Sequence, residues 1–172
     1  RLIYSLLSLA RLSVADDDKK ETVNFSGLLE ELLECFHVLA KDRGISLISR
    51  ITPRLFAAGP QKQLEHLVIN LVSNAMKYTR PKGRHAVTIT LSARKKKIVL
   101  VVADNGIGIC KKDIPHIFER FYRAENHIGE VTSTGLGLAI AKQIAENRGG
   151  AVTAKSKIGK WTRFSVVIPR LK

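Results

Sequence analysis

The run "HAVTITLSARKKKIVLVVAD", residues 85–104, constrains the fold most. Its first half alternates apolar and small polar residues, its second half is almost continuously apolar, and a basic "RKK" separates them. That grammar predicts a two-stranded hairpin whose second strand lies in the centre of a sheet. "AVTAKSK" and "TRFSVVIP" predict a second hairpin at the end of the chain. Between the hairpins stand helical patterns: "GLLEELLECFHVLAKDR" opened by Ser26 as N-cap and stopped by Gly44, a helix from about Gln61 to Thr79 entered through Pro60, and "GLGLAIAKQIAENRGG". "ISLISRI" reads as a strand closed by Pro53, and "DIPHIFERFY" as a short helix. Hairpins dominate the pairing, so the expectation is an α+β fold: a two-layer α/β sandwich with a mixed, mostly antiparallel sheet and helices on one face.

A chain of 172 residues suffices for one domain. Leu2, Ile3, Leu6, Leu7 and Ala10 recur at helical spacing and mark residues 1–15 as the end of an amphipathic helix, while Ala124 to Thr134 has no periodicity and reads as a mobile loop. The chain opens on Arg1, which suggests a piece of something larger. No apolar run reaches membrane-spanning length. Two cysteines, Cys35 and Cys110, have no partner spacing and fit a reducing compartment. The net charge of +14 favours an anionic partner, or is a solubilising surface. Its clusters, "TRPKGRH" and "SARKKKI", fall in a loop and a hairpin turn rather than on a recognition helix, which argues against a nucleic-acid binder.

Four segments carry candidate chemistry. In "LEHLVINLVSNAMKYT", Asn70, Asn74 and Lys77 project from one helical stripe beside Leu67, Leu71 and Ala75. Asparagine is a poor helix former, so this is either the polar face of a packed helix or a set of amides that bind something; an amide oxygen suits magnesium. In "DNGIGI", Asp104 ends a strand with an acceptor carboxylate, and Gly106 and Gly108 allow positive φ or close approach of a ligand; alone, the segment is good turn chemistry. In "TGLGLAIAK", Gly135 and Gly137 begin a helix whose free amides face an anion. No Walker lysine or dinucleotide fingerprint accompanies them. In "IFERFYR", Phe118 and Phe121 pack in the core or pin the base of the loop, and Arg120 and Arg123 reach phosphate or solvent.

In this order the four segments resemble the N box, first glycine box, F box and second glycine box of sensor histidine kinases, whose catalytic domain shares an ATPase superfamily with gyrase, Hsp90 and MutL. The motifs span residues 64–142, and "NRGGAVTAKSKIGKWTRFSVVIP" resembles the family's closing hairpin. The resemblance implies a Bergerat-type fold holding ATP and Mg2+ between the N-box helix and a lid over residues 122–134. It implies that Asn74 binds the metal with Asn70 assisting, and that Lys77 and Tyr78 line the phosphate and ribose side. Asp104 would accept the adenine amino group, with Gly106, Gly108 and Ile109 around the base. The amides of Gly135, Leu136, Gly137 and Leu138 would hold phosphates, and Arg123 would approach the γ-phosphate.

The hydrolysing relatives place a water-activating Glu where Asn70 stands, so transfer to a protein nucleophile is expected instead of hydrolysis. His37, His66, His85, His116 and His127 all lack the setting of the family's acceptor histidine. The expected partners are therefore a dimerisation domain bearing that histidine and a response regulator. Residues 1–18 would be the end of the dimerisation helix with its linker and 19–172 the catalytic domain, monomeric by itself and belonging to the cytoplasmic part of a membrane-bound sensor. The alternative is a catalytically weak nucleotide-binding regulatory module. Departures from the family pattern are Ser133 for a lid glycine, Pro60 for a capping Asp, Trp161 for a turn glycine and Cys110 for a frequent proline.

Overall fold

The computed structural model describes residues 21–79, 83–124 and 134–171. The helix expected over residues 1–15, Ser133, and most of the loop expected at 124–134 lie outside these. In chain order the elements are β1 (Thr22–Asn24), α1 (Phe25–Asp42), β2 (Ile45–Ile51), β3 (Phe56–Ala58), α2 (Gln61–Lys77), β4 (His85–Arg94), β5 (Lys97–Asp104), α3 (Gly137–Asn147), β6 (Ala151–Lys157) and β7 (Trp161–Pro169).

Five strands form one sheet in the order β2-β4-β5-β7-β6, and β1 pairs with β3 in a separate two-stranded ribbon. The apolar strand β5 is central, as its sequence predicts. Every pairing in the large sheet is antiparallel except β2 with β4, which are joined by a crossover carrying β3 and α2. Alternation sends Val87, Ile89 and Leu91 of β4, Ile98, Leu100 and Val102 of β5, and Phe164, Val166 and Ile168 of β7 into one core. That core is covered by Leu29, Leu33 and Phe36 of α1, Leu67, Leu71 and Ala75 of α2, and Ile140, Ala141 and Ile144 of α3. Each fully buried Leu or Ile contributes about 1.5–3 kcal/mol relative to exposure. The other face of the sheet, with Thr88, Thr90, Val99 and Val101, is partly exposed. The architecture is the expected two-layer α/β sandwich. Among the described residues no helix is long and apolar enough to cross a membrane.

Three local expectations need correction. The cap of α1 is Asn24, whose Oδ1 accepts from the Gly27 amide at 3.2 Å. Ser26 is instead buried inside the first turn, donating to the Thr52 carbonyl at 2.8 Å and accepting from the Leu55 amide at 3.0 Å, so it fastens α1 to the β2–β3 connection. Residues 111–121 fold as successive turns rather than a helix; the amides of His116 and Ile117 both reach back to the Asp113 carbonyl, and the pattern does not propagate. Helix α2 ends at Lys77, two residues before the expected end.

Pro60 gives α2 no side-chain cap, but the first helical amide, of Gln61, donates to Glu21 Oε2 at 3.3 Å. A carboxylate at that end also complements the helix dipole. Beside it lies Arg148, which follows α3. Its Nε donates to the Ala58 carbonyl (3.1 Å), Nη1 to Gln63 Oε1 (2.8 Å) and the Ile144 carbonyl (3.2 Å), and Nη2 to the Pro60 carbonyl (3.2 Å). Burial pushes this guanidinium down to about 10, and the nearby Glu21 carboxylate opposes the shift. Gly59 holds φ +106°, a conformation that residues with a Cβ rarely adopt, and a Cβ there would stand 2.8 Å from Nη2. Replacing Arg148 with Met strands the Ala58 and Pro60 carbonyls and is expected to lower the unfolding free energy by about 2 kcal/mol in urea titrations. A change below about 0.5 kcal/mol, the scatter of ordinary surface substitutions, would show that this junction is not structural.

Candidate functional site

The candidate residues gather where β5 ends beneath α2 and the start of α3. Asp104 is the last residue of β5 and lies on the core face, 7% exposed. Its Oδ1 accepts from the Gly106 amide at 2.8 Å. Burial raises its carboxyl from 3.8 to about 6, against the lowering effect of backbone hydrogen bonds from Gly106 and Thr162. This is a carboxylate held inside the protein with acceptor capacity to spare.

Above it, the Tyr78 amide closes α2 by donating to the Asn74 carbonyl at 3.1 Å, and the Tyr78 carbonyl accepts from the Ile107 amide at 3.0 Å. A Cβ at Gly106 would stand 2.1 Å from that carbonyl. At Gly108, with φ +70°, a Cβ would meet the Lys157 carbonyl at 2.3 Å and Ile158 Cα at 2.9 Å. The missing Cβ at each of these two glycines thus makes room for the chain's own backbone. Further bonds, from Gly159 N–H to the Ile107 carbonyl (2.6 Å) and from Ile109 N–H to Ser156 Oγ (2.8 Å), brace the loop against the β6–β7 turn. Trp161, at that turn, is 38% exposed.

Asn70, Asn74 and Lys77 are all half-buried on the stripe of α2 expected for them. Lys77 Nζ lies 5.7 Å from the centre of the Tyr78 ring. Asn70 Oδ1 lies 3.0 Å from where a Gly137 Cβ would be, so the asparagine stripe faces the first turn of α3. That turn has no side-chain cap and no acidic residue, and Leu136 before it is fully buried. Its amides therefore present an uncompensated positive end. Ile109 and Leu138 pack partly against the core.

Gly135, at φ +68°, abuts the backbone of Phe121 and accepts the Phe121 amide at 3.0 Å. This pair clasps the two ends of the segment expected as a lid, whose residues 125–133 lie outside the described ones. Phe118 packs edge-on to Phe164, at 6.3 Å between ring centres, whereas Phe121 pins the loop's base through its backbone and is itself 57% exposed. Arg123, two residues on, is exposed.

Two residues escaped the sequence reading. Asn105 accepts from the Ala86 amide (2.9 Å) and donates to the Arg84 carbonyl (2.8 Å), locking the end of β5 to the start of β4. Asp113, 3% exposed, binds the Tyr122 hydroxyl. Its place two residues before Pro115 marks it in the sequence only as turn chemistry.

Residues 59–172 match the family described as histidine kinase-, DNA gyrase B- and HSP90-like ATPases. The chain belongs to this family. It is 39% identical over 98% of its length to the sensor histidine kinase RppB of Synechocystis sp., covering 37% of that protein, and 30% identical over 98% to WalK of Bacillus subtilis, covering 28%. The chain thus spans about a third of the length of these relatives. Among solved structures, the mycobacterial sensor histidine kinase MprB superposes with a TM-score of 0.76 at 28% identity, over 87% of this chain and 98% of that one. Full-length ShkA in complex with AMPPNP gives 0.82 at 27% identity, over 99% of this chain and 35% of that one. The fold and motifs are those of the ATP-binding catalytic domain of sensor histidine kinases.

Because the folded carboxyl of Asp104 ionises later than the unfolded one, the folded state holds the extra proton between pH 3.8 and about 6. The stability this proton linkage supplies is present at low pH and lost as pH rises through that window. Relative to Asp104→Asn, the native protein is expected to lose on the order of 1–3 kcal/mol between pH 4 and 7. Urea titrations at several pH values measure this, and a pH-independent difference would contradict the buried-carboxylate account.

Proposed function

We propose that this chain binds ATP with Mg2+ and transfers the γ-phosphoryl group to a histidine on a dimerisation domain, for relay to a response-regulator aspartate. The observation that carries the reading is the seating of Asn70 against Gly137, which brings an asparagine-striped helix to an uncapped helix start above a buried carboxylate. In this reading Asp104 accepts the adenine amino group, and Gly106, Gly108 and Ile109 shape the loop beside it. Tyr78 and Lys77 line the ribose and phosphate side. The amides of Gly135, Leu136, Gly137 and Leu138 take the phosphates, and Arg123 approaches the γ-phosphate. Residues 1–18 belong to the dimerisation helix and linker, residues 19–172 form the catalytic domain, and the whole is a cytoplasmic portion of a larger sensor.

The donor set fits magnesium. Among the described residues no group of three or more His, Cys, Asp or Glu could hold a metal. A carboxamide oxygen from Asn74, with Asn70 beside it, suits an ion that keeps waters and shares phosphate oxygens. When bound, the ion neutralises charge on the phosphates. The residues' own work is positioning: phosphoryl transfer asks for alignment and electrostatic stabilisation more than covalent help from the protein. With Asn70 in place of a carboxylate, the turn before Asn74 offers no base to activate water, which favours a protein acceptor.

Titration of the chain with Mg2+ and ATP is expected to saturate, and Asn74→Ala to weaken binding roughly tenfold or more when Mg2+ is present, an effect of the order seen when metal sites lose supporting groups. A supplied acceptor domain is expected to gain acid-labile phosphate. Failure of the native chain to bind ATP would overturn the reading.

A further inference from the structure

Asp113 has no part in the site as described, yet its surroundings are unusual for a structural residue. Its Oδ1 accepts from the Tyr122 hydroxyl at 2.9 Å, while Oδ2 is buried without a hydrogen-bond donor. A buried carboxyl oxygen with no donor among the described residues is costly, and packing alone does not require one. The same residue organises the turns that follow the glycine loop: its amide donates to the Cys110 carbonyl at 3.0 Å, and its carbonyl receives the amides of His116 and Ile117. Asp113 is thus fixed to the loop that holds Asp104.

At the far end of these turns, Phe121 adopts φ +65°, a conformation that non-glycine residues rarely hold, and its amide is clasped by the Gly135 carbonyl. This clasp fixes where the chain passes the start of α3. It does not fix the direction in which the chain continues. The reversal turns Tyr122 inward, where its hydroxyl meets Asp113 and its ring lies 5.5 Å from that of His116. The next residue is Arg123. A long guanidinium side chain has many rotamers to lose, so its useful reach depends on a backbone held in one orientation.

We propose that Asp113 is a positioning residue of the phosphoryl-transfer reaction, acting through the Tyr122 hydroxyl to hold Arg123 beside the phosphate end of the nucleotide site. This rests on the reading of that site given above. The clasp at Phe121 and the strap at Tyr122 together set the direction in which the chain carries Arg123 away from the start of α3, on the side where a ligand's terminal phosphate, which ATP carries and ADP lacks, would lie.

The test compares binding of Mg2+-ADP and of a Mg2+-bound non-hydrolysable ATP analogue to the full chain. Tyr122→Phe deletes one hydroxyl and is expected to weaken the ATP analogue roughly threefold to tenfold, the range for the loss of one ordinary hydrogen bond, with ADP changed by less than about twofold. Asp113→Ala is expected to match it, and Asp113→Asn, which keeps an acceptor for Tyr122, to restore the preference for the analogue. Arg123→Ala should give the same selective loss, and adding Tyr122→Phe to it should cost nothing more, as expected for groups acting as one unit. Because Asp113→Ala also removes buried volume, Tyr122→Phe carries the decision. Equal losses on both nucleotides, or none on either, would overturn the proposal while leaving the nucleotide site intact. A native chain that binds neither nucleotide would overturn both.

Discussion

The carbonyl of Tyr78 is the contact on which the site's geometry depends. It is the last backbone acceptor at the end of α2, and helix ends must find partners for such groups. It finds the amide of Ile107, and it can do so only because Gly106 has no Cβ to occupy the same space. Any side chain at Gly106 would push α2 away from the end of β5, carrying Asn74 and Lys77 with it. A second missing Cβ, at Gly137, sets the approach of Asn70 to α3. The glycines of both motifs thus set the distances between elements before they meet any ligand.

Much of this was legible in the sequence because it rests on periodicity. The continuous apolar run from Ile98 to Val102 could only be a central strand, and alternation in β4 and β7 placed the core on one face. The asparagine stripe was legible as an anomaly of helix propensity, and Asp104 and the glycines gained meaning from lying in one ordered series with it. Features made by distant partners were not legible. The parallel pairing of β2 with β4 depends on where α2 crosses the sheet, which no local pattern states. Ser26 has the chemistry of a cap, yet Asn24, two residues earlier, serves once β1 pairs with β3 and fixes the entry to the helix. "DIPHIFERFY" has helical composition, but the positive φ at Phe121 and the clasp to Gly135 keep it as turns. Asp113 was invisible because its partner, Tyr122, lies across those turns.

The same distinction explains how a proline stands where the family commonly has a capping Asp. A local cap would have made the start of α2 self-sufficient. Here Glu21 supplies the acceptor from the residue preceding β1, and Arg148 ties the carbonyls of Ala58 and Pro60 to the end of α3. The start of α2 therefore depends on β1 staying paired with β3, and on α3 staying where it is.

That junction also places the site. Arg148 bonds Gln63 near the start of α2 and Ile144 near the end of α3, while Asn70 meets Gly137 at the start of α3. From Gln63 to Asn70, and from Ile144 back to Gly137, the two helices rise by the same amount, about 10 Å at 1.5 Å per residue. They consequently run in opposite directions and meet at both ends of that shared length. Beyond Asn70, α2 continues for about 10 Å past the start of α3, with no other helix of the described residues beside it on that side. Asn74 and Lys77 lie on this overhang, between the uncapped amides of α3 and the loop after Asp104. A space bordered in this way by metal-competent amides, free N–H groups and a buried carboxylate follows from two helices of unequal length tied together at their far ends.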